Sequence, residues 1–311
     1  MTIRTIYKHL RQIPKAIQLI RKRPYRVSEL VDRHWYNFRY SSLGGEFIGE
    51  DWDNLLILDA ARPDMLDAQS VFPDADVTEK ISPASSSPGF INKQFSERQL
   101  HDTVYVTANP HVNDLEVGVF HKVVNLLATD WDADLKTVPP WAVVDAALEA
   151  SRRHIDKRLI VHFMQPHFPF LGQTGDCIPS GISPSVGKTQ YRHPWFEQMR
   201  NQEHDHETLI GAYEENHEIA IENAKRLVDG LDGKTVITAD HGNLIGERGF
   251  PIPIRLYGHP ANFKHPTLLR VPWVLIDGER REIVSDPPKE RKQLDDRTIK
   301  NRLSALGYTD S

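Results

Sequence analysis

Apolar runs alternate with amphipathic helical patterns through most of the chain. Four runs have the length and composition of strands buried on both faces, at 55–58, 158–164, 236–238 and 271–277. Between them, the stretches 141–154 and 205–231 place apolar residues three and four positions apart, which is typical of helices that bury one face. This alternation predicts an α/β fold with a mostly parallel central sheet.

Polar side chains follow directly after two of these predicted strands. Asp59 ends the run at 55–58, and Asp240 and His241 end the run at 236–238. Open α/β sheets bind ligands at the carboxyl ends of their strands, and mixed oxygen and nitrogen donors suit a divalent metal ion. Taken singly, each residue could equally be a helix cap or a solvated side chain. Taken together, they predict a three-ligand metal site.

A serine-rich turn lies between these two strand ends. Ser85, Ser86 and Ser87 precede Pro88, and the following residues 90–95 are predicted to form a helix. Such a turn exposes a hydroxyl beside the backbone N–H groups of a helix start, where an anionic group is favoured. A plain serine-rich loop is the alternative.

The order of these features resembles the alkaline phosphatase and sulfatase superfamily, over about residues 50–277. The resemblance implies a three-layer α/β/α sandwich in which the first Asp, a hydroxyl nucleophile and the late Asp-His pair surround one metal ion. Asp59, Asp240 and His241 would then hold the metal. Ser85 matches lipoteichoic-acid synthases through Phe90, five residues later, whereas Ser86 matches members whose nucleophile lies two residues before a proline.

Ser85 is therefore the expected nucleophile and fourth metal ligand, with Ser86 and Ser87 as alternatives. By the same resemblance, His167 is expected to contact the anionic head of the substrate or to protonate the leaving group. His259 is expected near the metal or the substrate. Two further residues are candidates for binding the substrate, namely Arg62 and Asn109, whereas His162 lies within an apolar run and is interpreted as a core histidine.

The resemblance implies a metal-dependent hydrolase or transferase that acts on small phosphate esters, linked to a glycan or a lipid, through a covalent seryl intermediate. One divalent ion is expected, Mn²⁺, Zn²⁺ or Ca²⁺, and a second remains open. Sulfate-ester hydrolysis and non-catalytic binding of anionic glycan or lipid head groups are the alternatives. Formylglycine chemistry is not expected, because Phe90 stands where that signature requires Arg.

Charge divides the 311-residue chain into three predicted regions. Residues 1–45 form a basic amphipathic arm, 46–280 the catalytic domain with a lid loop at 172–204, and 281–311 a charged tail with a short helix. The net charge is −5, yet residues 1–26 contain eight Lys or Arg and no acidic residue. The arm is expected either to pack on the body or to contact an anionic membrane surface peripherally. Nucleic acid is not expected as a partner, because no base-reading motif accompanies the charge.

The compartment is predicted from cysteine content and hydropathy. The single cysteine, Cys177, excludes an internal disulfide. No apolar run reaches the length of a membrane span, and the amino end lacks the pattern of a signal peptide. These features lead us to expect a cytoplasmic protein, peripheral on the inner membrane face if the arm binds lipid.

Overall fold

The computed structural model describes residues 24–41, 44–178, 181–185, 188–289 and 296–306. The strands are β1 (Asn54–Asp59), β2 (Asp76–Ile81), β3 (Leu100–Thr107), β4 (Phe120–Asn125), β5 (Arg158–Pro166), β6 (Gly181–Ser185), β7 (Lys188–Arg192), β8 (Thr235–Thr238), β9 (Leu244–Arg248), β10 (Arg255–Gly258) and β11 (Arg270–Ile276). The helices are α1 (Pro24–Arg39), α2 (Ala68–Val71), α3 (Ser87–Phe95), α4 (Leu126–Thr129), α5 (Pro140–Arg153), α6 (Pro194–Asn201), α7 (His206–Val228), α8 (Pro266–Leu269) and α9 (Asp296–Ala305).

Within these residues, the central sheet has seven strands in the order β2-β11-β8-β1-β5-β3-β4. Strands β8, β1, β5, β3 and β4 run parallel, and β11 pairs antiparallel with both β8 and β2. The predicted α/β fold with a mostly parallel sheet is therefore confirmed. The apolar run of β1 lies at the sheet centre, where both faces are covered, and all six of its residues are buried.

Helices cover the sheet and complete the three-layer sandwich. Helices α5 and α7 pack on β5, in agreement with their predicted amphipathic faces. Helix α3 buries Phe90 and Phe95, whose rings lie 5.5 Å from that of Phe47 and 5.3 Å from that of Tyr105, respectively. These aromatic contacts fix the orientation of α3, and with it the position of the serine turn at its amino end.

Part of the predicted basic arm packs on the folded body. In α1, Asp32 accepts a hydrogen bond from the backbone N–H of Ile252 at 2.9 Å. The ring of Tyr36 lies 5.6 Å from that of Phe263 and 4.5 Å from that of His265. Helix α1 therefore docks beside the loop that follows β10. Residues 1–23, which carry most of the predicted cationic charge, lie outside the described residues.

The other two predicted regions contain more regular structure than the sequence suggested. The predicted lid loop contains a 3₁₀ turn at Thr174–Cys177, the β6-β7 hairpin and α6. The predicted tail runs along the sheet. The backbone N–H of Asp286 donates to the His101 carbonyl oxygen, and the Asp286 carboxylate forms an ion pair with the buried Lys157 at 2.6 Å. Among the described residues, no helix has the length and apolar character needed to cross a bilayer.

Candidate active site

The sheet register brings the two predicted strand ends together. Ile57 in β1 pairs with Thr238 in the parallel strand β8. Asp59 and Asp240 each come two residues after this pair, so they lie side by side at the ends of the two strands. The chain turns sharply after Asp59, where Ala60 adopts a left-handed conformation with φ of 63°. The backbone N–H groups of Ala60 and His241 donate to Asp240 Oδ1 at 3.0 and 2.8 Å. These bonds hold the Asp240 carboxylate in one orientation.

Asp59, Asp240 and His241 form a fully buried cluster. One donor atom from each lies within 4.8 Å of the others. His241 Nε2 is 3.6 Å from Asp59 Oδ1 and 3.5 Å from Asp240 Oδ2. The structure thus brings together the three residues that the sequence predicted as metal ligands, although their role stays a prediction.

The chemistry of this donor set fits a divalent metal ion. His241 Nδ1 lies 2.8 Å from the Gly242 carbonyl oxygen, which only accepts, so Nδ1 carries a proton and Nε2 faces the two carboxylates. Asp240 Oδ2 forms no hydrogen bond within the described part of the chain. Buried carboxylates require a nearby positive charge, which either a metal ion or a proton on His241 Nε2 can supply. Burial opposes ionisation of Asp240, but attraction to His241 and His162 outweighs it and lowers the pKa of this carboxyl.

Ser87 is the serine whose hydroxyl contacts this cluster. Its Oγ lies 3.2 Å from Asp59 Oδ2 and 3.3 Å from His241 Nε2. Ser87 is the first residue of α3, and its side chain is fully buried. Of the three predicted serines, Ser87 therefore has its hydroxyl at the cluster, two positions beyond the serine that the sequence favoured.

The other two serines make different contacts. Ser85 Oγ donates to the Pro260 carbonyl oxygen at 2.9 Å and accepts the backbone N–H of Phe263 at 3.1 Å. Its hydroxyl is thus committed to the loop that follows β10, which argues against the expected role of Ser85 as nucleophile and metal ligand. Ser86 is the N-cap residue of α3, but its side chain forms no capping hydrogen bond.

Two buried side chains lie beside the carboxylates of the cluster. Asn109 Nδ2 donates to Asp59 Oδ2 at 3.0 Å, so this predicted substrate-binding residue instead contacts a candidate metal ligand. His162, interpreted above as a core histidine, is buried but has Nε2 3.7 Å from Asp240 Oδ2 and Nδ1 2.9 Å from the Tyr105 hydroxyl. Sequence reasoning missed this position, although a polar residue within the apolar run of β5 could have indicated it.

His167 and His259 extend the site beyond His241. The His259 ring stacks on that of His241 with centroids 4.6 Å apart, and its Nε2 lies 3.0 Å from His167 Nε2. His167 Nδ1 contacts the Phe168 carbonyl oxygen at 2.6 Å and therefore carries a proton. Burial lowers the pKa of His167 to about 4 and that of His259 well below its ordinary value. Both imidazoles are neutral at neutral pH, so His259 Nε2–H donates to His167 Nε2.

Arg62 is engaged by the protein itself. Its guanidinium donates to both carboxylate oxygens of Asp64 at 2.9 and 2.6 Å, to Glu247 at 2.5 Å and to the Asn243 carbonyl oxygen at 2.8 Å. These ion pairs raise the pKa of Arg62 although burial acts in the opposite direction. Arg62 therefore ties the end of β1 to β9, and four of its five N–H donors are used by the protein, so the predicted contact with substrate stays a prediction.

Gly242 follows the Asp-His pair for a steric reason. A Cβ atom at this position would lie 2.1 Å from the backbone carbonyl oxygen of Thr267. We expect Gly242→Ala to lower the free energy of unfolding by about 1–3 kcal/mol, because the backbone of α8 has to move. Gly211→Ala in α7 is the matched control, since its Cβ would meet only Thr174 Cγ2 at 3.8 Å. Urea denaturation should show a loss for the first variant and none for the second; equal stabilities would contradict the prediction.

A buried histidine beside the site predicts acid sensitivity. His217 accepts the backbone N–H of Arg62 at Nε2 and contacts the Tyr213 carbonyl oxygen through Nδ1. Burial lowers its pKa to about 4, whereas the unfolded chain binds this proton near a pKa of about 6.5. The unfolded state therefore binds more protons between these values, and stability falls as the pH drops from about 6.5 towards 4.

We expect this histidine to contribute about 3 kcal/mol to that loss. Urea denaturation with EDTA present, at several values between pH 7.5 and 4.5, measures the slope without a contribution from metal binding. His217→Gln should flatten the slope, and His34→Gln, at an exposed histidine, should leave it unchanged. Identical slopes in wild type and His217→Gln would show that the proton is not linked to folding.

Comparisons with known proteins were made on sequence and on structure. No protein-family model matches the chain, and no curated protein matches its sequence. The fold resembles EptA, an integral membrane lipooligosaccharide phosphoethanolamine transferase from Neisseria meningitidis, with a TM-score of 0.50 and 10% identity. That match covers 76% of this chain but only 50% of EptA, so this chain spans about half of that protein.

Two further solved structures were found with lower scores. The periplasmic domain of EptC from Escherichia coli, in complex with Zn, has a TM-score of 0.48 and 12% identity, covering 76% of this chain and 77% of that one. An alkaline phosphatase superfamily protein from Vibrio parahaemolyticus has a TM-score of 0.37 and 11% identity, covering 74% and 60%.

The expected cytoplasmic location is contradicted by these comparisons. The matched proteins are described as an integral membrane protein and as periplasmic domains. The prediction depended on a single cysteine, and a protein without disulfides can occupy either compartment. The fold expectation, in contrast, is confirmed: the protein has an α/β/α fold with a mostly parallel central sheet, and this fold is similar to that of EptA.

Proposed function

We propose that the protein transfers or hydrolyses phosphate esters with a bound divalent metal ion, and that Ser87 is the nucleophile. The observation that carries this proposal is the position of the Ser87 hydroxyl, 3.2 Å from Asp59 Oδ2 and 3.3 Å from His241 Nε2. This buried hydroxyl lies beside carboxylate and imidazole groups that can accept its proton. It has the surroundings of an activated nucleophile.

Asp59, Asp240 and His241 would hold the metal ion. When bound there, the ion lowers the pKa of a neighbouring hydroxyl and offsets negative charge on the phosphoryl oxygens. The imidazole in the set argues for a transition metal such as Mn²⁺ or Zn²⁺ over Ca²⁺, which prefers oxygen ligands. The described residues contain one such cluster of potential ligands, so the proposal requires one ion.

The first step would form a covalent ester on Ser87. The serine proton moves along the hydrogen bond to Asp59 Oδ2, whose position is held by Asn109. Ser87 Oγ then forms a bond to phosphorus while the bond from phosphorus to the leaving oxygen breaks. The amino end of α3 faces the same region and favours the negative charge of the phosphoryl group.

His259 and His167 would serve the phosphoryl oxygens. The His259 ring stacks on that of His241, the His167 ring lies edge-on to that of His259, and His259 Nε2–H donates to His167 Nε2. When substrate is bound, this N–H could turn from His167 Nε2 to a phosphoryl oxygen, whereas the departing alkoxide would take its proton from water, because a neutral imidazole that lost its proton would become an imidazolate anion. Water, or a hydroxyl of an acceptor molecule, then attacks the phosphoseryl ester and restores Ser87. The fold match to a phosphoethanolamine transferase supports transfer as well as hydrolysis.

Turnover of generic aryl esters tests this function. The purified protein is assayed with 4-nitrophenyl phosphate, bis(4-nitrophenyl) phosphate and 4-nitrophenyl sulfate, each with Mn²⁺, Zn²⁺, Ca²⁺ or EDTA. We expect phosphate esters to turn over with metal and not with EDTA. Mass spectrometry of the quenched reaction should locate a phosphoryl group on Ser87. Turnover of the sulfate alone, or no metal-dependent turnover of any ester, would contradict the proposal.

A further inference from the structure

A small cavity beside the amino end of α3 contains two lysines and no acidic residue. It encloses about 150 Å³, and its polar lining consists of Asn37, Ser85, Ser86, Lys93, Asn262 and Lys264. The remaining lining residues are apolar or glycine. We call this site the lysine cavity. Its size admits only a small group, because pockets for drug-sized ligands enclose about 300–1,000 Å³.

Backbone carbonyl groups hold both lysines in place. Lys93 Nζ donates to the Pro83 carbonyl oxygen at 2.7 Å, and Lys264 Nζ donates to that of Ser41 at 2.5 Å. Neither lysine forms an ion pair with an acidic residue in the described part of the chain. Burial and the charge of Lys264 lower the pKa of Lys93. Each ammonium group has three donors, so each retains donors for a further acceptor.

An anion is the group that this arrangement lacks. Two cations that share one cavity repel each other, and a carboxylate would normally relieve that repulsion. The helix start adds to the positive potential, since the Ser86 side chain forms no capping bond at α3. Three independent features, the two ammonium groups and the helix start, therefore favour the same kind of ligand.

The lysine cavity also lies close to the proposed nucleophile. Ser86 lines it and directly precedes Ser87 in the chain. A second cavity of about 470 Å³ shares Ser86, Gly89, Lys93 and Asn262 with it. The one acidic residue that lines this larger cavity, Asp114, is already paired with His111 at 2.9 Å. Both cavities thus reach the residue that directly precedes Ser87.

We propose that the lysine cavity binds a second phosphate group of the substrate, distinct from the phosphoryl group that Ser87 attacks. This inference depends on the proposed function, because it names the class of ester that the site takes. The substrate is then a phosphodiester whose alcohol portion carries another phosphate. The larger cavity holds the connecting part of that alcohol.

Two matched substrates test the inference. One is the 4-nitrophenyl diester of glycerol 1-phosphate, and the other is the same diester with a phosphate on the terminal glycerol hydroxyl. Both release 4-nitrophenol, so kcat/KM can be compared directly. We expect wild type to prefer the second by about tenfold or more, because charged hydrogen bonds to phosphate are strong. The double variant Lys93→Gln/Lys264→Gln should lose that preference. Lys225→Gln/Lys289→Gln has the same charge change outside the cavity and should keep it.

The failure of the inference can be distinguished from that of the function. Turnover of both diesters with equal kcat/KM would overturn the inference while the proposed function stands. If neither diester turns over, calorimetric binding of both diesters to the metal-loaded Ser87→Ala variant decides the inference, and the function fails only if the aryl phosphate esters are not turned over either. A lysine-dependent preference for the second diester supports it, and equal affinities overturn it. Lysine-dependent binding of inorganic phosphate, without any preference between the diesters, would also overturn it in favour of a free-anion site.

Discussion

Replacement of Ser87 by alanine should reduce phosphoester turnover by about 10⁴-fold or more, which is the scale seen when a catalytic serine is removed. The reason is geometric, since Ser87 Oγ is the serine oxygen that contacts Asp59 and His241. Alanine removes the attacking atom and leaves the buried cluster otherwise intact. The measurement is kcat with 4-nitrophenyl phosphate, together with the covalent phosphoryl group that mass spectrometry detects in wild type.

The neighbouring Ser85 provides a matched control for this prediction. Ser85→Ala leaves the Phe263 N–H without its acceptor, so we expect a loss of stability of about 1–3 kcal/mol but turnover within tenfold of wild type. Thermal unfolding of each variant separates a loss of folding from a loss of chemistry. Full activity of Ser87→Ala would exclude Ser87 as the nucleophile, and a 10⁴-fold loss in Ser85→Ala with an unchanged melting temperature would return that role to Ser85.

The choice among three consecutive serines depends on a feature that local sequence does not determine. Successive residues at a helix start point in directions about 100° apart, so a shift of one residue moves the hydroxyl away from the cluster. Helix α3 begins at Ser87, and its rotation is set by Phe90 and Phe95 in the core. Comparison with an aromatic or a proline farther along the chain could not supply that rotation. The sequence therefore located the turn but not which of its three hydroxyls contacts the buried cluster.

The strand ends were predictable because their positions follow from pairing alone. The apolar runs that stop at Asp59 and Asp240 become adjacent parallel strands. Both carboxylates come two residues after the same residue pair of these strands, so they lie together. The edge strands were harder to find. In β2, the residues are exposed or half-buried, and no continuous apolar run distinguishes this strand from a loop.

Residues whose role depends on a partner from elsewhere in the fold were the least predictable. Arg62 was expected to bind an anionic substrate, yet Asp64 and Glu247 use its donors. Asn109 was expected to border the substrate, yet it orients Asp59 across 50 positions of the chain. The residue type indicates what each side chain can bind. The tertiary partner decides which of those contacts is made.

Asp240→Asn should abolish specific metal binding at this site, with affinity at least about 100-fold weaker than in wild type, because changes to groups that only support metal ligands already cost 10–100-fold. The variant keeps the shape of the site, since an amide oxygen can accept the same backbone N–H groups of Ala60 and His241. It removes one negative charge from a fully buried set of donors. Elemental analysis and calorimetric titration with Mn²⁺, Zn²⁺ and Ca²⁺ at pH 7.5 measure the affinity directly.

Metal-dependent stability provides a second readout of the same variant. A ligand that binds only the folded state at 100 times its Kd stabilises that state by about 2.7 kcal/mol, so the preferred ion should raise the melting temperature of wild type. Asp240→Asn should show no such rise, whereas Asp74→Asn makes the same chemical change at an exposed carboxylate and should behave as wild type. An equal rise in Asp240→Asn would mean that the ion binds elsewhere. In that case Asp59, Asp240 and His241 would be a buried acid–imidazole cluster held by a proton, and Ser87 would lack the activation that the proposed chemistry requires.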